Sequence, residues 1–278
     1  MTKKELKKLE STAKKIRVNI IKMITAAGSG HPAGSLGSAD IIASLYFGLL
    51  KHNPQKPNWK ERDYFILSAG HLCPALYAVL AEAGYFEKKE LLSLRNFGSR
   101  LQGHPHFQSP PGIETTSGSL GQGLSIAAGI ACGFKTDKKK NKVVCLTSDG
   151  EHNEGQTWEA AMFGAKYKLN NLINIIDRNF IQIDGPTNEI MPLGKLKKRY
   201  QSFGWRVFQI DGHNFEEIII TYKRACKIKK KPSVIIARTI PGKGVSFMKG
   251  KWEWHGKAPG PEETQKAIKE LSKLSFRT

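Results

Sequence analysis

An α/β fold, a three-layer sandwich around a mostly parallel central sheet, is what the sequence predicts. Short apolar runs of strand length alternate with helical stretches along most of the chain, and that alternation makes βαβ units. Runs such as "VVCLT" and "LINII" are apolar throughout rather than at every second position, as strands covered on both faces are. No internal repeat or low-complexity linker interrupts the 278 residues, so a single domain over 1–278 is expected.

Each element has its own signal. Residues 6–27 are helical by period, with Ile16, Ile20, Met23, Ile24 and Ala27 on one face and lysines on the other. "GSGHPAGSLGS" (28–38) breaks that helix, and a second is expected over 39–50. After a polar loop, "YFILS" (64–68) reads as a short buried strand, and a helix restarts behind Gly70. From Leu94 to Ser119 the chain is rich in Gly, Pro, His and Ser without periodicity, and a loop that long is usually functional or disordered. "LGQGLSIAAGIACGFK" is a Gly/Ala-rich helix able to pack closely on another backbone. Strands follow at 142–148, 171–177, 205–210 and 232–239, separated by helices at 155–169, near 193–203 and at 215–227. The stretch 185–194 reads either as a mobile loop over the site or, by composition alone, as any surface loop, and "EETQKAIKELSKL" closes the chain as a helix.

Composition narrows the function classes. No run of about eighteen apolar residues occurs, so no spanning helix and no membrane association is expected. The N-terminus is charged and lacks the apolar core of a signal peptide. Four scattered cysteines without CxxC spacing suit structural thiols in the reducing cytoplasm. The formal net charge is +20, but the basic clusters border apolar segments as solvated helix faces do. No zinc-finger, RNP-type or bZIP pattern accompanies them, which disfavours nucleic acid and leaves anionic metabolites or an acidic partner.

The chemistry concentrates at "SDGEHNEG" (148–155), directly after an apolar strand. Ligands of parallel sheets bind outside the carboxyl ends of strands. Asn179 follows Asp149 by thirty positions, one βαβ unit later, so the two can converge. The Asp149 carboxylate, the Asn179 amide oxygen and the Ile181 carbonyl would be hard oxygen ligands suited to Mg²⁺, with Ca²⁺ or Mn²⁺ as substitutes, and a diphosphate could complete the shell. Gly150 would offer its N–H to the phosphate. Taken singly, Asp149 reads equally as a helix cap and Asn179 as a turn residue.

The stretch from Ser148 to Asn179 resembles the thiamine diphosphate signature, which opens with Gly-Asp-Gly and ends with an Asn at a similar distance; Ser148 replaces the first Gly. "GSGHPAGSLGSADI", the segment around His71, "GHPHFQSPPGIETTSGSLGQG" and "WEWHGKAP" resemble, in order, the four histidine motifs of transketolases. The resemblance runs from about Ala13 to Pro259 and covers only the N-terminal, diphosphate-gripping part of that family. It implies a thiamine diphosphate-binding fold and the N-terminal subunit of a split transketolase. The implied reaction moves a two-carbon ketol unit from a ketose phosphate to an aldose phosphate, in the pentose phosphate pathway. Asp149, Asn179 and Ile181 would hold Mg²⁺, and His71, Gly150 and His255 the diphosphate. Gly118, Ser119 and Leu120 would face the aminopyrimidine, with Ser119 where the family has Pro. His31, His104 and His255 would serve the substrate, since neutral imidazoles can move protons near pH 7. Glu154 would join two active sites across a dimer interface. The Glu that activates the cofactor lies in the family's pyrimidine domain. A C-terminal partner subunit is therefore expected, in a heterotetramer with two of each chain.

The rival expectations are an α-type chain of a 2-oxo-acid dehydrogenase and an inactive half kept for binding. His52 reads as structural, His106, His152 and His213 have no assigned role, and Trp158 and Phe163 read as core by their helical spacing.

Overall fold

Residues 2–274 are described by the computed structural model. Helix α1 (Lys3–Ala27) starts at a capping box between Thr2 and Glu5 and stops at Gly28, whose left-handed φ of 63° closes the last turn. Helix α2 (Pro32–Ser44) is followed by a π-turn over Leu45–Leu49. Next come β1 (Tyr64–Leu67), α3 (Cys73–Ala83), α4 (Gln122–Thr136), β2 (Val143–Ser148), α5 (Gly155–Lys166) and β3 (Leu172–Arg178). A two-residue hairpin, β4 (Ile181–Gln182) and β5 (Gly185–Pro186), leads into the single turn α6 (Thr187–Ile190). Helix α7 (Leu196–Ser202), β6 (Arg206–Asp211), α8 (Phe215–Cys226), β7 (Ser233–Arg238) and α9 (Pro261–Ser272) complete the order.

The main sheet has five strands in the order β1-β2-β3-β7-β6, with every neighbouring pair parallel. Side chains alternate between its faces. Val144, Leu146, Ile173, Ile175, Ile235 and Ala237 enter the core shared with α1, α2, α3 and α8. Val143, Cys145, Leu172, Ile176, Val234 and Ile236 enter the core shared with α4, α5 and α7. Both faces are therefore covered, which is why the strands read as apolar runs. No helix among the described residues is long and apolar enough to cross a membrane.

Two expectations are corrected. The segment 28–38 does not break the chain as a loop, because α2 already begins at Pro32. Proline at a first helical position has its φ preset and lacks only an N–H that would be unpaired anyway. Its glycines serve packing: a Cβ on Gly34 would lie 2.5 Å from Leu72 Cδ2, and one on Gly37 would lie 3.1 Å from the Ile240 carbonyl oxygen. The stretch 185–194 is not a featureless surface loop. Thr187 ties it back toward the strand ends, donating its N–H to the Phe180 carbonyl at 2.9 Å and its hydroxyl to Asp149 at 3.4 Å.

Candidate active site

The parallel register lines up the strand ends. Ser148 lies opposite Asp177, Arg178 opposite Arg238, and Asp211 opposite Arg238. The turns that leave β2 and β3 therefore start side by side and bring Asp149 and Asn179 together. Asp149 Oδ2 accepts from Arg178 Nη1 at 2.6 Å and from the Phe180 N–H at 2.8 Å. Its Oδ1 accepts from the N–H of Gly150 at 2.9 Å. Asn179 Oδ1 accepts from the Ile181 N–H at 3.0 Å, an Asx turn that holds the amide oxygen beside the backbone of 179–181.

Behind them sits Asp177, which accepts from the Thr239 hydroxyl and from Asn179 Nδ2 at 3.1 Å. Burial, with the neighbouring charge of Asp149, pushes its pKa up to about 7. Burial also raises Asp149, against the pull of Arg178. No cluster of three His, Cys, Asp or Glu side chains with metal-binding geometry occurs among the described residues. A cation held here would rest on one carboxylate and neutral oxygens. That suits Mg²⁺, which takes few protein ligands and completes its shell with water and phosphate oxygens.

Across from this corner, three imidazoles form a triangle. Ring centroids are 5.2 Å apart for His31 and His71, 5.5 Å for His31 and His255, and 5.2 Å for His71 and His255. His31 occupies the N-cap position of α2 without using its side chain as a cap. His71 lies in the 3₁₀ turn that precedes α3, and His255 follows the short 3₁₀ turn Trp252–Trp254. His104, on the long loop, packs against Gly118: a Cβ there would be 3.4 Å from its Cγ. The φ of +152° at Gly118 also favours glycine. Gly70 in turn backs onto this loop, since a Cβ would lie 2.8 Å from the Gly118 nitrogen.

Burial keeps these imidazoles neutral. It lowers His31 to about 4, helped by the charges of His255 and Arg95, and lowers His71 far below the usual range. His255 is lowered by burial, and His104 by burial and by Arg95. His31 Nδ1 and Ser117 Oγ are buried without a hydrogen-bond partner. Orphaned polar atoms are rare in folded chains, and both belong to segments that build the site.

Gly118, Ser119 and Leu120 form the bend leading into α4, with Gly118 and Leu120 half-buried and Ser119 exposed. Glu154 is exposed and lies against Gly121, where a Cβ would meet its Cβ at 2.7 Å. Ser148 needs no positive φ, so the missing glycine of the signature does not disturb the turn.

Three residues escaped the sequence reading. Glu151, fully buried, accepts from Ser68 Oγ, from the Gly121 N–H at 2.9 Å and from the Ser148 N–H at 2.8 Å. It thereby joins the ends of β1, the 118–121 bend and β2. An acid inside an apolar strand-end turn was the available signal. Arg178, bonded directly to Asp149, and Arg95, which acts on the histidines through space, had none.

His52 is structural, bonded to Tyr85 Oη at 3.1 Å and to the Tyr46 carbonyl at 2.6 Å. His152 and His213 are also structural. His152 bridges the Ser148 carbonyl and the Tyr200 hydroxyl, and His213 bridges Asp40 and the Ile240 N–H. Trp158 packs against the second core, but Phe163 does not: it is 39% exposed on α5, because helical spacing alone cannot say which stripe faces the sheet.

Residues 9–275 match the family described as "Transketolase, thiamine diphosphate binding domain". The chain is 40% identical over 268 residues to a transketolase subunit of Phocaeicola vulgatus named for apulose-4-phosphate, covering 96% of this chain and 95% of that protein. It is 43% identical over 265 residues to the 6-deoxy-6-sulfo-D-fructose transketolase subunit SqwG of a Clostridium species, covering 95% and 96%. Human transketolase is 40% identical over 268 residues, but only 42% of its length is spanned. Among solved structures, transketolase from Campylobacter jejuni superposes with a TM-score of 0.90 at 33% identity, over 100% of this chain and 44% of that one.

Proposed function

Because the chain belongs to the family of transketolase thiamine diphosphate-binding domains, we propose that it is the diphosphate-holding subunit of a two-subunit, Mg²⁺-dependent transketolase. The observation that carries this is the convergence of Asp149, Asn179 and Ile181 at neighbouring strand ends, in a chain that also gathers three neutral imidazoles into one cluster. Asp149, Asn179 Oδ1 and the Ile181 carbonyl hold the metal. Gly150, His71 and His255 hold the diphosphate. Gly118, Ser119 and Leu120 present their backbone to the aminopyrimidine, and the orphaned Ser117 Oγ and His31 Nδ1 await polar partners there. Thiamine diphosphate, when bound, supplies the electron sink for breaking and making the carbon–carbon bond beside a ketose carbonyl.

The chain's own part is to bind, orient and move protons. His31, His104 and His255 stay unprotonated at pH 7 because burial disfavours their charge. A neutral imidazole can accept a proton from a sugar hydroxyl or donate a hydrogen bond to a carbonyl oxygen. The donor is a ketose with an anionic group at its far end. That class includes the ketose phosphates of the pentose phosphate pathway as well as the phosphorylated and sulfonated sugars for which the two bacterial relatives are named.

A C-terminal partner chain completes each site. Support comes from bacterial relatives of the same length, which are themselves named as subunits of transketolases. Two copies of this chain meet through α4 and α5, giving a heterotetramer with two of each chain. There Ile126, Met162, Phe163 and Tyr167 are exposed, and Gly129 and Gly133 face open space. Glu154 stands at the start of α5, beside that face. The setting is the cytoplasm: all four cysteines are free, and burial raises Cys73 to about 12 and pushes Cys145 well above the usual thiol value.

Calorimetric titration of thiamine diphosphate into the assembled complex tests the ligand set. Binding should require Mg²⁺ and should be lost in Asp149→Ala. Unchanged affinity in that variant would defeat the assignment.

A further inference from the structure

A second cavity, of about 920 Å³, opens at the carboxyl ends of β3, β7 and β6. Its lining includes none of Asp149, Asn179 and the four site histidines. Six cations line it: Arg178, Lys195, Lys197, Lys198, Arg238 and Lys243. Arg178 is held by Asp149, but among the described residues none of the other five has a carboxylate within ion-pair distance.

Two acids, Asp211 and Glu217, share the lining, so six cations face two carboxylates. Glu217 accepts from the Asp211 N–H at 3.0 Å, and Asp211 accepts from the His213 N–H at 2.9 Å, both in the turn that starts α8.

Two features make this more than a solvated basic face. Arg178 and Arg238 are register partners on adjacent strands; Asp149 engages Arg178, while Asp211, opposite Arg238, makes no ion pair with it, so the Arg238 fork is left open to an anion. Both guanidiniums lie over the exposed ring of Phe180, at 4.1 Å and 5.8 Å from its centroid, which holds them at the cavity wall. Lys243 is half-buried, and burial pushes its ammonium pKa down. Asp40 and Asp211 act on it only from beyond ion-pair distance, so this half-buried ammonium gains from an anion brought in from outside.

Leu196, Ile210, Ile236 and Ile240 supply apolar wall between these cations. A volume in the range of small-molecule pockets, apolar wall and convergent cations together describe a site for an organic anion.

We propose that this cavity is a second anion site, sharing Arg178 and Phe180 as a wall with the cofactor corner but using none of its ligands, that takes an organic phosphate with a sugar- or nucleoside-sized body. The Arg238 fork and the Lys243 ammonium hold phosphate oxygens, Lys195, Lys197 and Lys198 supply the surrounding field, and the isoleucines bear on the body. An acidic peptide or a nucleic acid would meet the same charges but would leave the apolar wall unused.

The test is equilibrium dialysis of labelled ATP, with EDTA present, against the full chain. Wild type should bind one ATP saturably, with inorganic phosphate competing. Arg238→Gln and Lys243→Ala should each weaken binding about tenfold or more, the expected effect of losing a charge-assisted hydrogen bond. Lys140→Ala, which removes an exposed charge elsewhere, should change it little, and His71→Ala should leave it intact. Far-UV circular dichroism checks that each variant is folded.

Four results would overturn the proposal. They are the absence of saturable binding, equal losses in Lys140→Ala, loss in His71→Ala, which would put ATP in the cofactor corner, and retention only of heparin or an acidic peptide.

Discussion

Replacing Glu151 by Ala tests whether one buried carboxylate holds the cofactor corner together. Its oxygens accept from the Ser68 hydroxyl and from the Gly121 and Ser148 N–H groups, and Ser68 Oγ in turn accepts from the Gly123 N–H at 3.1 Å. Truncation leaves three donors facing a void in a region that is otherwise closed. Each orphaned buried donor costs about 1–3 kcal/mol. Water entering the vacated space would satisfy part of that, so a loss of about 3–6 kcal/mol is expected. Against a total stability of about 5–15 kcal/mol, this is large. For a chain of this size it corresponds to a fall in Tm of roughly 6–20 °C. Thermal unfolding of the chain without added cofactor measures it, and amide exchange at Gly121, Gly123 and Ser148 localises it. A fall under about 2 °C with unchanged exchange at these amides would show that the three loops are held by something other than Glu151.

Other expectations follow from the same geometry. Gly123→Ala would put a Cβ 2.6 Å from Ser68 Cα, a backbone atom that cannot step aside, so the variant should lose about 1–3 kcal/mol in urea unfolding; a neutral result would mean that α4 is free to shift. Burial holds His152 at about 4, below its unfolded value of about 6.5. Its contribution is therefore complete above pH 6.5 and is lost as pH falls toward 4, by about 3 kcal/mol. His152→Gln should flatten that slope between pH 7.5 and pH 5, and an unaltered slope would assign it to other groups. Phe163→Asp, on the open face of α5, should convert the assembly to its half-size form in sedimentation without lowering the helical content; an unchanged sedimentation coefficient would move the self-contact to another face.

How much of this was legible depends on the range of the interaction. Strand runs, the first helix over 6–27 and the Asp149-to-Asn179 spacing are local properties: apolar patterning sets the first two, and one βαβ unit sets the third. The two cores follow from the strand runs, because an all-apolar strand must be covered on both sides. The sequence by itself therefore determined the layered architecture and the corner at which ligands would meet the sheet. It could not determine that Pro32 starts a helix instead of ending one, since that depends on Leu72 and Ile240 arriving at Gly34 and Gly37. Nor could it show which way Phe163 points, or that Arg178 and Arg238, sixty residues apart in the chain, become register partners around one aromatic ring. Burial of Glu151, the neutrality of the imidazoles and the lowered ammonium pKa of half-buried Lys243 are likewise properties of surroundings. Solvation and like-charge proximity are set by neighbours distant in the chain, so only the tertiary structure decides them.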